Sequence, residues 1–167
     1  SDLHERFWKI KKMKIDDDIR HKWIYANSTH TIDLLRFFGG EIEKINILKK
    51  NIKEKNGDQF VASMEFDSGA LGTYNSHWFS PGGWSVALYG EGVTVEYKPL
   101  ENGIWTDIDF QKHEIVPDEV DTKYKPGFYL QMEAFLKLVK TGILEPPGIN
   151  LVEALNTMKL AQKFVHA

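Results

Sequence analysis

The sequence contains no cysteine among its 167 residues. This absence excludes disulfide bonds, thiolate catalysis and cysteine-ligated zinc. A chain without thiols also fits a reducing compartment, and we expect a cytoplasmic protein.

Long apolar segments are missing as well. No uninterrupted apolar run approaches the roughly 20 residues that cross a bilayer. The charged start, Asp2-Leu3-His4-Glu5, does not have the pattern of a signal peptide. The sequence therefore predicts a soluble protein without a membrane partner.

An excess of basic charge is also absent. Lysine and arginine number 21 against 24 acidic residues, and the formal net charge is -3. Binding to nucleic acid would need a local basic patch or motif. We find neither, and expect no nucleic-acid partner. The hydrophobic fraction of 42%, which includes ten Phe, is enough for a sizeable core in a single domain over residues 1–167.

Several motifs for ligands and catalysis are not present. The six histidines show neither His-x-x-x-His nor His-Glu-x-x-His spacing, so no metal site is predicted. A Gly-x-Ser-x-Gly nucleophile motif is absent too. The stretch nearest to a dinucleotide fingerprint begins with Gly90-Glu91-Gly92 and has Val95 at the third glycine position. We interpret it as a hairpin turn, and predict no cofactor-binding residues.

Helical periodicity marks both ends of the chain. Gly39-Gly40 should end a helix, since glycine takes the left-handed cap conformation without steric cost. After the acidic turn Asp16-Asp17-Asp18, a short extended piece is predicted over residues 21–25. Helices are predicted over about 3–15 and 29–38, and in two C-terminal segments that contain the stripes 128–139 and 151–165.

The middle of the chain, from about residue 41 to 116, has the alternation typical of strands. Links such as Asn56-Gly57-Asp58 and Asp67-Ser68-Gly69 are too short for parallel crossovers, so neighbouring strands should be antiparallel. The predicted fold class is α+β, with an open, mainly antiparallel sheet, helices packed on one face and no Rossmann domain. Strands are expected around Ile45 and Ile47, around 60–66, and at 70–79, 84–89, 93–98 and 104–108.

The second face of such a sheet would be exposed. A homo-oligomer through the sheet would cover an apolar surface on that face. The apolar residues that could form this surface are Val61, Ala70, Tyr74, Trp78 and Tyr89. Alternatively, these residues are scattered or lie on the helix-covered face.

His30 is the first candidate for chemistry. It lies in the first turn of a predicted helix, where the positive end of the helix dipole disfavours an imidazolium. A neutral ring there can act as a base or a hydrogen-bond partner. Asp33, three residues on, is near enough to orient the ring or to cap the helix. The alternative is a capping or core histidine.

Two further positions could contact a sugar. His77 lies at the end of a predicted strand beside Trp78, and Tyr129 follows the helix-starting Pro126-Gly127. A packed Trp with an exposed His explains the first equally well. Ordinary polarity at a helix end explains the second.

These segments together resemble the glucose-fructose oxidoreductase and inositol dehydrogenase family, also called Gfo/Idh/MocA. His30-Thr31-Ile32-Asp33-Leu34-Leu35-Arg36 followed by Gly39-Gly40-Glu41 is similar to the family's His-x-Ile-Asp-Leu segment and its Gly-Glu ending. Residues 66–72 resemble its strand-turn-strand element, residues 88–92 its later Gly-x-x-Gly turn, and residues 129–154 its final two helices.

The resemblance implies a C-terminal substrate-binding and oligomerisation domain whose N-terminal Rossmann domain is missing. The family moves hydride between NAD or NADP and a sugar, polyol or nucleotide sugar. A histidine from this helix and a lysine from the first domain assist proton transfer, which assigns the catalytic role to His30. By itself the chain would hold no cofactor and would be inactive. A non-catalytic ligand-binding or oligomerisation module of the same fold is the second hypothesis.

One position departs from the family pattern. The family often has an aspartate four residues before the histidine, and this chain has Ala26 there. Asn27 or Asp33 would then replace the missing acid. The residues predicted to contact a sugar-like substrate are Asn27, Asp33, His77 and Tyr129.

Overall fold

The computed structural model describes residues 16–146 and 148–167. The predicted helix over residues 3–15 lies outside them. The chain divides into two compact units, a first unit of Ser1–Gly82 with Leu151–Ala167 and a second unit of Gly83–Asn150.

The first unit begins with a helical run. Helix α1 spans Asp17–His21, a π-helix spans Ile24–Ser28, and helix α2 spans Thr29–Gly39. The prediction of an extended piece over residues 21–25 is wrong. Asp16 caps α1 by accepting the Asp18 N–H at 2.8 Å, and the buried side chains that suggested a strand, Trp23 and Ile24, instead pack a helical face into the core.

The end of α2 matches the prediction. Gly40 follows the helix with φ 96°, and its N–H donates to the carbonyl of Arg36 at 3.0 Å. This left-handed conformation favours glycine, which has no Cβ to clash. The chain can therefore turn directly from α2 into the first strand.

Three antiparallel strands form the first sheet, in the order β1-β2-β3. They span Ile42–Lys50, Gln59–Phe66 and Leu71–His77. Burial alternates along β2, as the sequence pattern predicts, because successive side chains point to opposite faces. Its buried residues are Phe60, Ala62, Met64 and Phe66.

The core of the first unit lies between this sheet and the helices. Helix α5, Leu151–His166, contributes Phe164, whose ring lies 5.1 Å from Tyr74 and 6.1 Å from Phe60. Trp78 packs 5.6 Å from Phe60. Tyr74 and Trp78 are therefore core residues, which corrects their assignment to a second apolar surface. Val61, Ala70 and Tyr89 are exposed.

The second unit contains a four-stranded antiparallel sheet in the order β4-β5-β6-β7. Two helices follow it, α3 at Glu119–Lys123 and α4 at Phe128–Thr141. Strand β7 and helix α3 are not predicted by the sequence pattern. The apolar stripe of α4 is exposed. The four strands span Val86–Gly90, Val93–Tyr97, Gly103–Thr106 and Lys112–Ile115.

The predicted α+β class with open antiparallel strands is confirmed, with the strands divided between two sheets. In the part of the chain that the structure describes, no helix combines the length and the apolar character needed to cross a membrane.

Candidate functional site

The junction between the π-helix and α2 presents the candidate catalytic histidine. His30 is exposed in the first turn of α2, while Ile32, two residues on, is fully buried. Thr31 donates through its hydroxyl to the Ser28 carbonyl at 3.0 Å, and Thr29 donates to the Tyr25 carbonyl at 3.2 Å. The helical run already begins at Ile24, so His30 does not occupy the free helix N-terminus that the sequence analysis predicts. Its imidazole is displayed within a run that is anchored to the core.

Asn27 lies on the same helical run, three residues before His30. It is the fourth of the five π-helical residues and is half-buried. Single π-helical turns are rare and frequently occur at functional sites. Asn27 and His30 therefore lie on two consecutive helical elements, and the role of Asn27 stays a prediction.

The carboxylate of Asp33 is engaged by α5. Thr157 donates through its hydroxyl to Asp33 Oδ1 at 2.5 Å, and Arg36 Nη1 lies 3.5 Å from the same oxygen. The hydrogen bond of this carboxylate joins it to α5, and its ion pair with Arg36 runs along its own helix. Its assignment to the substrate stays a prediction.

Arg36 lies at the centre of the polar contacts that join α2 to α5 and to Glu41. Its side chain is only 10% exposed, and Nη1 donates to Thr157 Oγ1 at 2.6 Å and to the Glu153 carbonyl at 2.9 Å. Nε donates to Glu41 Oε2 at 3.2 Å, and Nη2 also pairs with Glu41. The bonds to Glu41 raise the pKa of Arg36 despite the opposing effect of burial, and the guanidinium lowers the pKa of Glu41.

His77 and Tyr129 are placed elsewhere. His77 is exposed at the end of β3, opposite Gln59, and Trp78 beside it is buried. Tyr129 belongs to the second unit, where its ring stacks on Tyr124 at 5.1 Å. Both side chains are partly accessible to a ligand, and their roles stay predictions.

A second polar cluster closes the β6–β7 hairpin. The ring of His113 stacks on Trp105 at 4.1 Å, and its Nε2 hydrogen-bonds to Asp107 Oδ2 at 2.8 Å. Asp107 Oδ1 also accepts the N–H groups of Asp109 and Gln111. The bond from His113, followed by that from Gln111, lowers the pKa of Asp107. These hydrogen bonds stabilise the turn between β6 and β7, which explains why the residues cluster.

The Gly90–Gly92 turn does not fit the pyrophosphate of a dinucleotide. Gly90-Glu91-Gly92 joins β4 to β5 as a hairpin in which Gly90 pairs with Val93, as predicted. A pyrophosphate loop needs the glycines between a strand and the N-terminus of a helix. Among residues 16–146 and 148–167, no group of three or more acidic or histidine side chains is arranged to hold a metal ion.

Sequence reasoning missed Arg36 and Thr157. The two residues are 121 positions apart in the sequence, so local periodicity cannot predict their contact. One weak signal was present. Thr157 falls between Ala154 and Ala161, on the apolar stripe of α5, and a polar residue on a buried stripe needs a hydrogen-bonding partner.

The sequence from residue 6 to residue 96, more than half of the chain, matches the family model of the GFO/IDH/MocA C-terminal domain. The chain belongs to this family. The family prediction is therefore confirmed. No curated protein gave a significant match.

Solved structures of the GFO/IDH/MocA type share the fold. A UDP-N-acetylglucosamine 3-dehydrogenase from Acidithiobacillus ferrooxidans has a TM-score of 0.69 and 13% identity, with 83% of this chain and 45% of that chain covered. Levoglucosan dehydrogenase in complex with NADH has a TM-score of 0.68 and 13% identity, covering 84% and 46%. An oxidoreductase from Thermotoga maritima has a TM-score of 0.64 and 18% identity, covering 86% and 41%. The chain spans less than half the length of each.

Proposed function

We propose that this chain is the C-terminal, substrate-side domain of an NAD(P)-dependent oxidoreductase that acts on a sugar, polyol or nucleotide sugar. The observation that carries the proposal is the exposed His30 in the first turn of α2, within a domain of the GFO/IDH/MocA family. The substrate class is supported by the fold shared with a nucleotide-sugar dehydrogenase and with levoglucosan dehydrogenase.

In this proposal the helical run that carries Asn27 and His30 contributes to one wall of the active site. His30 exchanges the proton of the substrate hydroxyl, because a positioned histidine side chain can act as a general acid or base. Asn27, one helical turn away, can hydrogen-bond to the same substrate. His77 and Tyr129 are further candidate contacts.

The nucleotide would be held by an N-terminal Rossmann domain. This inference is supported by the coverage of less than half of the solved relatives, and by the use of the Gly90–Gly92 turn as a hairpin. The chain by itself should then neither retain NAD or NADP nor turn over substrate.

We further propose that the domain self-associates through the outer face of the first sheet. Leu48 and Val61 are cross-strand partners on that face, 67% and 41% exposed. Light scattering at micromolar concentration should detect a dimer or a larger species, and Leu48→Lys with Val61→Lys should give a monomer because two buried charges would oppose association. A monomeric wild-type protein would contradict this.

A second candidate function is a non-catalytic ligand-binding or oligomerisation module. Ala26 favours it, since the acidic partner common in the family is absent four residues before His30. Nicotinamide titration of residues 1–167 alone should be flat under either hypothesis, so the discriminating experiment must use the full-length protein.

The first step is to read the gene upstream of Ser1. A Rossmann fingerprint should precede it, and a native start codon at that point would exclude the two-domain enzyme. The full-length protein is then assayed with NAD and NADP against nucleotide sugars, anhydrosugars, hexoses and polyols. Turnover followed by nicotinamide absorbance supports the oxidoreductase, while binding of a sugar without turnover by any of them supports the module.

A further inference from the structure

Thr157 connects two side chains of the helix that carries His30. Its hydroxyl accepts a hydrogen bond from Arg36 Nη1 at 2.6 Å and donates one to Asp33 Oδ1 at 2.5 Å. Thr157 is 5% exposed, so water has little access to compensate for a lost bond. One hydroxyl on α5 therefore satisfies a cation and an anion of α2.

The chemistry of this position is specific. A hydroxyl can donate and accept at the same time, which among the small side chains only threonine and serine offer. Valine has nearly the same shape but would leave the carboxylate of Asp33 and the guanidinium of Arg36 without that bond. Comparing threonine with valine at position 157 therefore tests the hydroxyl separately from packing.

Thr157, Asp33 and Arg36 together fix the rotation of α2 about its own axis. Ile32, fully buried, fixes one face of the helix, and Asp33 and Arg36 fix the adjoining face against α5. His30 lies one turn before Asp33 on the same rigid helix. A small rotation or slide of α2 would therefore displace the imidazole of His30.

We propose that Thr157 is a positioning residue that sets the placement of His30 by joining Asp33 and Arg36 to α5. In this role Asp33 acts through Thr157. This inference rests on the proposed function for its catalytic consequence, but the placement of α2 can be measured without any substrate.

The test compares three variants of the full-length protein. Thr157→Val removes both bonds, and Thr157→Ser keeps them. Thr141→Val makes the same chemical change at the exposed end of α4, where the hydroxyl donates to the Lys137 carbonyl and accepts the N–H of Ile143. Asp33→Ala removes the acceptor of the Thr157 hydroxyl and takes the place of Thr157→Val should that variant fail to fold, with the same expected results.

Hydrogen–deuterium exchange over residues 29–39 is the first readout. Thr157→Val should accelerate exchange there by about 10-fold, since α2 loses its polar contacts to α5. Thr157→Ser and Thr141→Val should match the wild type. Equal exchange in Thr157→Val and wild type would overturn the proposal, and so would a serine variant that behaves like the valine one.

Steady-state kinetics give the second readout. Misplacing a catalytic group by about 1 Å can cost up to roughly 100-fold in rate, so Thr157→Val should lower kcat by about 10- to 100-fold while KM changes less than threefold. Serine should restore kcat. An unchanged kcat with accelerated exchange overturns the positioning role, provided that His30→Ala is inactive. If His30→Ala is fully active, the proposed catalytic function has failed instead, and the exchange result still decides how α2 is held.

Discussion

Ala26 lies four residues before His30 in a helical run that continues without a break from Ile24 to Gly39. Residues four apart share one face of a helix, so position 26 is where a side chain on the same element best approaches the imidazole. Ala26 is exposed and supplies only a methyl group. Position 26 of this chain therefore supplies no carboxylate to the imidazole of His30.

Asp58 should be essential to the loop between β1 and β2. It is fully buried, and its Oδ2 accepts the N–H groups of Ile52, Lys53 and Glu54 at 3.0, 2.5 and 2.9 Å. Asp58→Ala leaves three backbone donors without this acceptor, and we expect it to lower the free energy of unfolding by about 3 kcal/mol. Urea-induced unfolding checks this value. Asp18→Ala, at an exposed helical position, should cost less than about 0.5 kcal/mol.

The ion pair of Arg36 and Glu41 should make stability depend on acid pH. Because Arg36 lowers the pKa of Glu41 in the folded state, the pair stabilises the protein above the ordinary glutamate value of 4.5, and this contribution is lost as pH falls through the folded value. Glu41→Gln should therefore be less stable than wild type at pH 6 and approach it at about pH 3.

Salt and a neighbouring variant complete that experiment. Glu41 is 56% exposed, so the difference should shrink as the salt concentration rises. Glu43→Gln removes an exposed charge from β1, two residues after Glu41, and should show no comparable acid-side change. A stability gap for Glu41→Gln that stays constant between pH 6 and pH 3 would contradict the assigned coupling.

The sequence predicts those parts of the fold that are written in local patterns. The alternation in β2 and the glycines after α2 identify the strand and the helix end, because burial and backbone conformation each act on neighbouring residues. Residues 21–25 mislead, since their large apolar side chains suit a strand as well as a buried helical turn. Only the Asp16 cap and the contacts of Ile24 decide between the two.

The candidate site divides in the same way. The helix that carries His30 is evident from the sequence, because its periodicity is local, whereas the helical residues 24–28 before it are not. The link from Asp33 to Thr157 crosses 124 positions, and no local pattern pairs them. Likewise, Asn56-Gly57-Asp58 predicts a turn, while the full burial of Asp58 follows from how that turn folds onto the first unit.

The central claim is that His30 handles the proton of an oxidoreductase substrate, and the most direct measurement is kcat of His30→Ala in the full-length protein. A positioned acid or base contributes about 10²- to 10⁴-fold, so kcat should fall by that factor while the Kd for the nicotinamide cofactor is unchanged. His166→Ala, at the exposed end of α5, should keep wild-type turnover. Wild-type turnover in His30→Ala would contradict the assignment.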